Sequence, residues 1–315
     1  MKKALITGVS GFAGSFLSEL LLTQEFEVHG THISDDTKLI DHIKNDLKLH
    51  RVNLLDKKET EKSIEESGPD IVFHLAALTS PAESFKEPEK IVTNNIIAEI
   101  NLLEAIRLSS ISPRIIIISS AEVYGYVREE DLPIDEKTDL RPASPYAVSK
   151  IAQDYLGLQY KLSYGMDIVR VRPFNHIGPR QSPSFVVASF AKQIAEIEKG
   201  KKEPKIKVGN LEAKRDFTDV RDIVKGYLIL SQNAESGEVY NIGSGKSHKI
   251  SEILSELLTL AQVPIDTEVD PALLRPGDVP DIRSSNHKIE QLGWRPEIAL
   301  SETLKDTLDY WRNTV

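Results

Sequence analysis

Cysteine is missing altogether from the 315 residues, and methionine and tryptophan occur only twice each. Without a thiol there is no disulfide framework, no thiolate nucleophile and no Cys-ligated metal or iron–sulfur centre. Long apolar runs are missing too, since none approaches the roughly 20 residues a membrane span needs. Lys2-Lys3 before an apolar stretch has the start of a secretory leader, but Gly8, Gly11 and Gly14 interrupt that stretch at once. There is no basic block, and the net charge of 39 − 48 = −9 argues against nucleic acid or an anionic membrane as main partner. The eight His residues are scattered, with no HExxH and no His/Asp cluster, so no metal site is expected. What remains is an ordinary globular composition, 40% hydrophobic and 28% charged, sufficient for one large domain or two moderate ones. The expectation is a soluble, cytoplasmic protein.

Along the first half, short apolar runs alternate with helical patterns. Ala4–Thr7, Glu27–Thr31, His50–Leu54, Ile71–Leu75, Arg114–Ser119 and Asp167–Arg172 read as strands. Gly11–Leu22, Lys57–Glu66, Thr93–Leu108 and Tyr146–Ser163 read as helices between them. The run Ile115–Ile118 suits a strand covered on both faces. Such alternation predicts an α/β fold: a Rossmann-type, doubly wound parallel sheet with helices on both sides. After Pro173 the rhythm changes. Phe185–Lys199, Asp219–Leu230 and Ile250–Ala261 are helical, Lys201–Lys205 is a polar stretch, and Pro/Gly-rich Pro271–Pro280 precedes two last helical pieces. The expected division is a dinucleotide-binding domain over 1–172 and a smaller C-terminal α/β substrate lobe over 173–315. The strand Val239–Ile242 is expected to return to the main sheet.

Three clusters carry chemistry. Gly8-Val-Ser-Gly11-Phe12-Ala13-Gly14 follows the first strand and opens the first helix. Gly8 permits a tight turn, Gly11 lets backbone approach a pyrophosphate, and Gly14 allows close helix–strand packing, with the phosphates at the positive end of the helix dipole. The spacing is GxxGxxG. A carboxylate at the end of the second strand would bind an NAD ribose, yet Thr31-His32-Ile33-Ser34 holds none before Asp35, and the nearest cation is Lys38. The site therefore admits NADP(H) as well as NAD(H), with His32 beside the ribose. Tyr146 and Lys150 are four apart, hence on one helix face, where the ammonium favours the phenolate. Ser119-Ser120-Ala-Glu122 ends the fifth strand, at the carboxyl ends where open α/β sheets bind ligands. By contrast, Gly243-Ser-Gly-Lys246-Ser247 only imitates a P-loop, because Tyr240 stands where the earlier glycine is required.

Together with His74-Leu75-Ala76-Ala77, Ser-Ser-Ala-Glu-Val-Tyr-Gly125, Arg172-Pro173-Phe-Asn175, Arg215-Asp-Phe-Thr-Asp219 and Tyr240-Asn-Ile-Gly, these motifs resemble the extended short-chain dehydrogenase/reductases acting on nucleotide sugars. The resemblance covers essentially the whole chain, and Arg172–Pro179 and Val208–Arg215 look most like the GDP-mannose branch. It implies Tyr146 as acid/base, Lys150 as its partner and ribose ligand, Ser120 as carbonyl-binding hydroxyl, and Asn95 beneath the catalytic helix. It also implies cofactor contacts from Gly8, Gly11, Phe12, Ala13, Gly14, His32, Asp56, Leu75, Ala76, Ala77, Pro173 and His176. Asn175, Lys192, Arg215 and Arg275 would hold the nucleotide diphosphate. The activity implied is NAD(P)H-dependent reduction of the 4-keto group of GDP-4-keto-6-deoxy-D-mannose to GDP-D-rhamnose. The alternative is 4,6-dehydration of GDP-mannose, in which Glu122 would be the base; against it, Ser120 replaces the usual Thr and one Arg follows Pro179 instead of two. An epimerase and a catalytically silent cofactor-binding regulator are the further alternatives. Family resemblance also implies a homodimer through the helices at 93–108 and 146–163.

Overall fold

The computed structural model describes residues 1–274 and 279–315. In the first half, β1 (Lys3–Thr7), α1 (Phe12–Thr23), β2 (Glu27–His32), β3 (Lys48–Arg51), α2 (Lys57–Ser67) and β4 (Ile71–His74) are followed by α3 (Pro81–Ser84) and α4 (Pro88–Leu108). Then come β5 (Arg114–Ile118), α5 (Pro145–Tyr164) and β6 (Ile168–Pro173). The second half contains β7 (Asn175–Ile177), α6 (Val186–Glu198), β8 (Lys205–Val208), β9 (Lys214–Asp219), α7 (Val220–Asn233) and β10 (Val239–Ile242). It ends with β11 (Ser247–Lys249), α8 (Ile250–Thr259), β12 (Asp266–Val269), β13 (Asp281–Ile282), α9 (His287–Glu290) and α10 (Leu300–Thr314).

Seven strands form one parallel sheet in the order β10-β6-β5-β4-β1-β2-β3. The chain winds outward from β1 through β2 and β3, then jumps back to β4 and winds the other way. This reversal opens a crevice at the carboxyl ends of β1 and β4, where open α/β sheets bind ligands. Register places Thr7 between Thr31 and His74 there. β10 lies parallel to β6, with Val239 opposite Arg170 and Ile242 opposite Pro173. Cover on both faces explains why β5 is buried from Ile115 onward and β6 throughout. One face packs on α1 and α7 through Phe16, Leu17, Leu21, Val224 and Tyr227. The other packs on α4 and α5 through Leu102, Leu103, Ile106 and Tyr160.

The second-half core is separate, with α6, α8 and α10 contributing Phe190, Ile194, Leu254, Leu257, Leu308 and Trp311. It sits against small sheets, β11-β9-β13 with β7 on β9, and the β8–β12 pair.

Two local expectations shift. The third strand runs Lys48–Arg51, not His50–Leu54, because Val52 and Leu54 leave the sheet edge and pack on Ala76 and Ala98. The fourth helix begins at Pro88, five residues before Thr93, since proline fits a first helical turn. Helix α5 has the same start: Pro145 follows Ser144, whose Oγ accepts from the Ala147 N–H at 3.1 Å.

Candidate active site

A cavity of about 850 Å³ runs from the glycine-rich turn, past the ends of β1, β4 and β5, to the smaller sheets. Its size suits a dinucleotide or nucleotide-sugar ligand rather than a buried water cluster. At one end Gly8 takes φ of 73°, in the left-handed region that favours glycine. A Cβ on Gly14 would stand 2.5 Å from the Gly8 carbonyl oxygen, so only hydrogen fits between turn and helix. Gly11 caps α1 with no side-chain hydrogen bond, leaving first-turn N–H groups available to an anion. Gly11, Phe12, Ala13 and His32 line this end, and Leu75, Ala76 and Ala77 line the wall after β4. The cradle therefore fits a pyrophosphate-containing cofactor.

Midway along the cavity stand Ser120, Glu122, Tyr146 and Lys150. Ser120 lies two residues past the end of β5, and its Oγ accepts from the Glu122 N–H at 3.1 Å. Tyr146 occupies the first turn of α5 and is buried; burial pushes its phenol well above the ordinary range, opposed by a hydrogen bond with Ser120 and reinforced by the Glu122 charge. Tyr146 therefore rests as a phenol, a proton donor. One turn on, Lys150 donates to the Ile118 carbonyl at 2.8 Å, and burial pushes its ammonium down to about 8, with Glu99 opposing. Asn95 braces the helix from α4: its Nδ2 donates to Ser149 Oγ at 2.9 Å, while its Oδ1 accepts from Leu78 N–H at 2.8 Å.

Pro173, Asn175, His176 and Arg215 line the far half. The His176 ring stacks on Phe12 at 5.8 Å and 7°, linking the glycine turn to β7, and burial lowers its pKa. Arg215 donates to the Lys214 and Val279 carbonyls at 2.8 and 2.7 Å, which orients its guanidinium at the cavity wall.

Two expected contacts fall elsewhere. Asp56 does not line the cavity; it caps α2, accepting from Lys58 N–H at 2.9 Å and Glu59 N–H at 3.1 Å. Lys192 is also absent from the wall: its ammonium lies over the Trp311 ring at 5.4 Å and 3.8 Å from Glu196. Arg275 lies outside the described residues. In their place the structure brings Lys207 and Asn210 to the wall, on and just after β8. The alternating Lys205-Ile-Lys-Val208 pattern was the available signal, with Ile206 and Val208 buried and the lysines outward. Arg51, which does not itself line the cavity, is opposite the lining residue His32 in the β2–β3 register, beside the strand end that lacks a carboxylate, and pairs with Asp35 at 3.4 Å. No group of His, Asp or Glu among the described residues is arranged to hold a metal ion. Nor is any described helix long and apolar enough to cross a membrane.

Fold and site together define an NAD(P)-dependent oxidoreductase of the extended short-chain dehydrogenase/reductase type. A family model described as GDP-mannose 4,6 dehydratase matches residues 5–307, and the chain belongs to that family. It is 36% identical to GDP-6-deoxy-D-mannose reductase of Pseudomonas aeruginosa over 100% of this chain and 98% of that protein. It is also 33% identical to GDP-mannose 4,6-dehydratase of Yersinia enterocolitica, covering 96% and 91%. Among solved structures, it is similar to RMD from Pseudomonas aeruginosa complexed with NADPH (TM-score 0.88, 35% identity, both chains fully covered). A UDP-glucose 4-epimerase of Thermus thermophilus in complex with NAD gives TM-score 0.90 at 30% identity, covering 99% and 100%.

Proposed function

We propose that the protein reduces the 4-keto group of GDP-4-keto-6-deoxy-D-mannose, giving GDP-D-rhamnose, with NADPH as the preferred reductant. The observation that carries this reading is that Tyr146 and Lys150, one turn apart on α5, line one cavity with Ser120 and Arg215. It is supported by the end-to-end similarity to a GDP-6-deoxy-D-mannose reductase. A nicotinamide cofactor, held by the glycine turn, Ala76, Ala77 and Lys150, supplies the hydride when bound. Ser120 orients the substrate carbonyl oxygen, and Tyr146 gives it the phenolic proton as the alcohol forms. A tyrosinate left in so buried a place is costly, and the Lys150 ammonium offsets that cost. Acid help of this kind contributes about 10²–10⁴-fold. At the far end, Arg215, Lys207 and Asn175 offer charged and polar groups for a diphosphate, and Arg suits it bidentately. At the near end, Arg51 and the missing strand-end carboxylate favour a 2′-phosphate.

A second reading, 4,6-dehydration, is favoured by one observation: Glu122 lines the cavity close enough to raise Tyr146. The two readings separate with substrate. The reductase oxidises NADPH on addition of GDP-4-keto-6-deoxy-D-mannose and makes no ketosugar from GDP-mannose and NADP⁺. Ketosugar formation from GDP-mannose alone would overturn it. The same reading includes a cytoplasmic homodimer, supported by the exposed apolar residues Ile97 on α4 and Val148, Tyr155 and Leu162 on α5.

A further inference from the structure

Between β7 and α6 the chain supplies five consecutive residues, 181–185, to the cavity wall. This loop starts from a tight turn, Gly178-Pro179-Arg180-Gln181, closed by the Gln181 N–H donating to the Gly178 carbonyl at 3.4 Å. Proline at the second position and a positive φ at the third are the marks of a type II turn, and glycine takes that third position at no cost. Here the third position is Arg180, at φ of 72°. A non-glycine residue in that region is strained, and it persists where its surroundings over-determine it.

The Arg180 side chain shows what those surroundings are. Its Nη1 donates to Ser15 Oγ at 3.2 Å and pairs with Glu19 Oε1 at 2.7 Å, and its guanidinium lies over the Phe16 ring at 4.4 Å. All three partners belong to α1, the helix that opens at the glycine turn. Glu19 is also held by His42, on the connection between β2 and β3. Phe16 meets Phe12 edge-on at 5.9 Å, and Phe12 stacks on His176. The chain thus grips α1 twice, at His176 before the turn and at Arg180 within it. Gln181, itself buried, closes the turn on β7 by donating from Nε2 to the His176 carbonyl at 2.8 Å. A lone ion pair at a partly exposed position contributes little. Three contacts from one helix, converging on a strained residue, fix a position.

We propose that Arg180 is a positioning residue whose grip on α1 sets residues 181–185 against the cofactor helix, and so sets the substrate half of the cavity. Arg180 does not line the cavity, so it acts through the loop that follows it. Its partners lie on the turns of α1 directly after the cofactor cradle, which joins the wall of one half of the site to the floor of the other. That the ligand at this wall is the ketosugar rests on the proposed function; that Arg180 sets the wall does not.

Two readouts test it. In the cofactor-free protein, hydrogen exchange in the peptide covering 181–189 should become several-fold faster in Arg180→Ala, with the strands of the main sheet unchanged. In keto reduction the same variant should raise KM for GDP-4-keto-6-deoxy-D-mannose about five- to tenfold, while kcat and KM for NADPH change less than about twofold. Arg180→Lys keeps a charge for Glu19 and should recover part of both. Glu19→Gln should reproduce the effect in weaker form and add little when combined with Arg180→Ala, because the two residues share one contact. Arg180→Gly is the decisive variant: it takes the turn without strain, and so stays folded, but has no grip. It should show the exchange and the ketosugar KM of the Ala variant. Wild-type exchange or a wild-type ketosugar KM in Arg180→Gly overturns the proposal. Faster exchange in a protein that reduces no ketosugar leaves the positioning role standing and removes the proposed substrate instead.

Discussion

The two ends of the cavity are built from different material. The near end is backbone: a glycine turn, a helix N-terminus and strand ends fixed by seven parallel strands. The far end is side chain: Asn175, Lys207 and Arg215 on short strands of small sheets, backed by a separate core. A backbone cradle recognises what every dinucleotide shares, its pyrophosphate. Side chains on small sheets can be exchanged without disturbing the main sheet, and on the proposed reading they would set which sugar nucleotide is accepted. The comparison therefore predicts that damage at the near end abolishes binding and damage at the far end changes affinity for one ligand only.

The largest effect should come from the junction of the two ends. Tyr146→Phe keeps the ring and removes the proton, so kcat should fall about 10²–10⁴-fold while NADPH still binds, as fluorescence titration would show. Next is Gly14→Val, whose Cβ would meet the Gly8 carbonyl at 2.5 Å. It should remove detectable NADPH binding and lower stability by about 1–3 kcal/mol in denaturant unfolding. Preserved NADPH affinity there would break the comparison at its near end.

Arg215→Ala tests the far end. Losing charge-assisted bonds worth about 1.5–3 kcal/mol should raise KM for the ketosugar roughly 10–100-fold and leave NADPH affinity unchanged. Arg51→Ala should do the reverse and more gently, weakening NADPH about tenfold with little change for NADH, and less so at high salt. The smallest effect belongs to Lys192→Ala. Its ammonium is engaged with Trp311 and Glu196 away from the cavity, so KM should hold and stability should drop by less than about 1 kcal/mol.

The same contrast governs what could be read from the sequence. The glycine turn and the Tyr146/Lys150 pair each lie within one short stretch of chain, and Ser120 follows a clear strand, so they were legible from spacing and element order. Far-end residues meet only through tertiary contacts. Lys192 was expected at the diphosphate only through the family resemblance, and its facing partner, Trp311, is more than a hundred residues away in the chain. Lys207 was hidden because the polar Lys201–Lys205 stretch masked the strand after it. Asp56, expected near the adenine, caps α2 and does not line the cavity: an acid ahead of Lys57–Ser67 fits a helix cap, and Glu59 accepts from the Asn53 N–H at 2.7 Å. Arg51 escaped notice because parallel register, not sequence distance, puts it opposite His32.

The central claim is that hydride leaves a bound reduced cofactor for the sugar while Tyr146 supplies the proton. Isotope tracing tests it most directly. NADPH deuterated at the transferring C4 position is incubated with GDP-4-keto-6-deoxy-D-mannose and the product is read by NMR. One deuterium at sugar C4 for each NADP⁺ formed is the expected result. Unconsumed NADPH, or a product without deuterium at C4, would contradict the account.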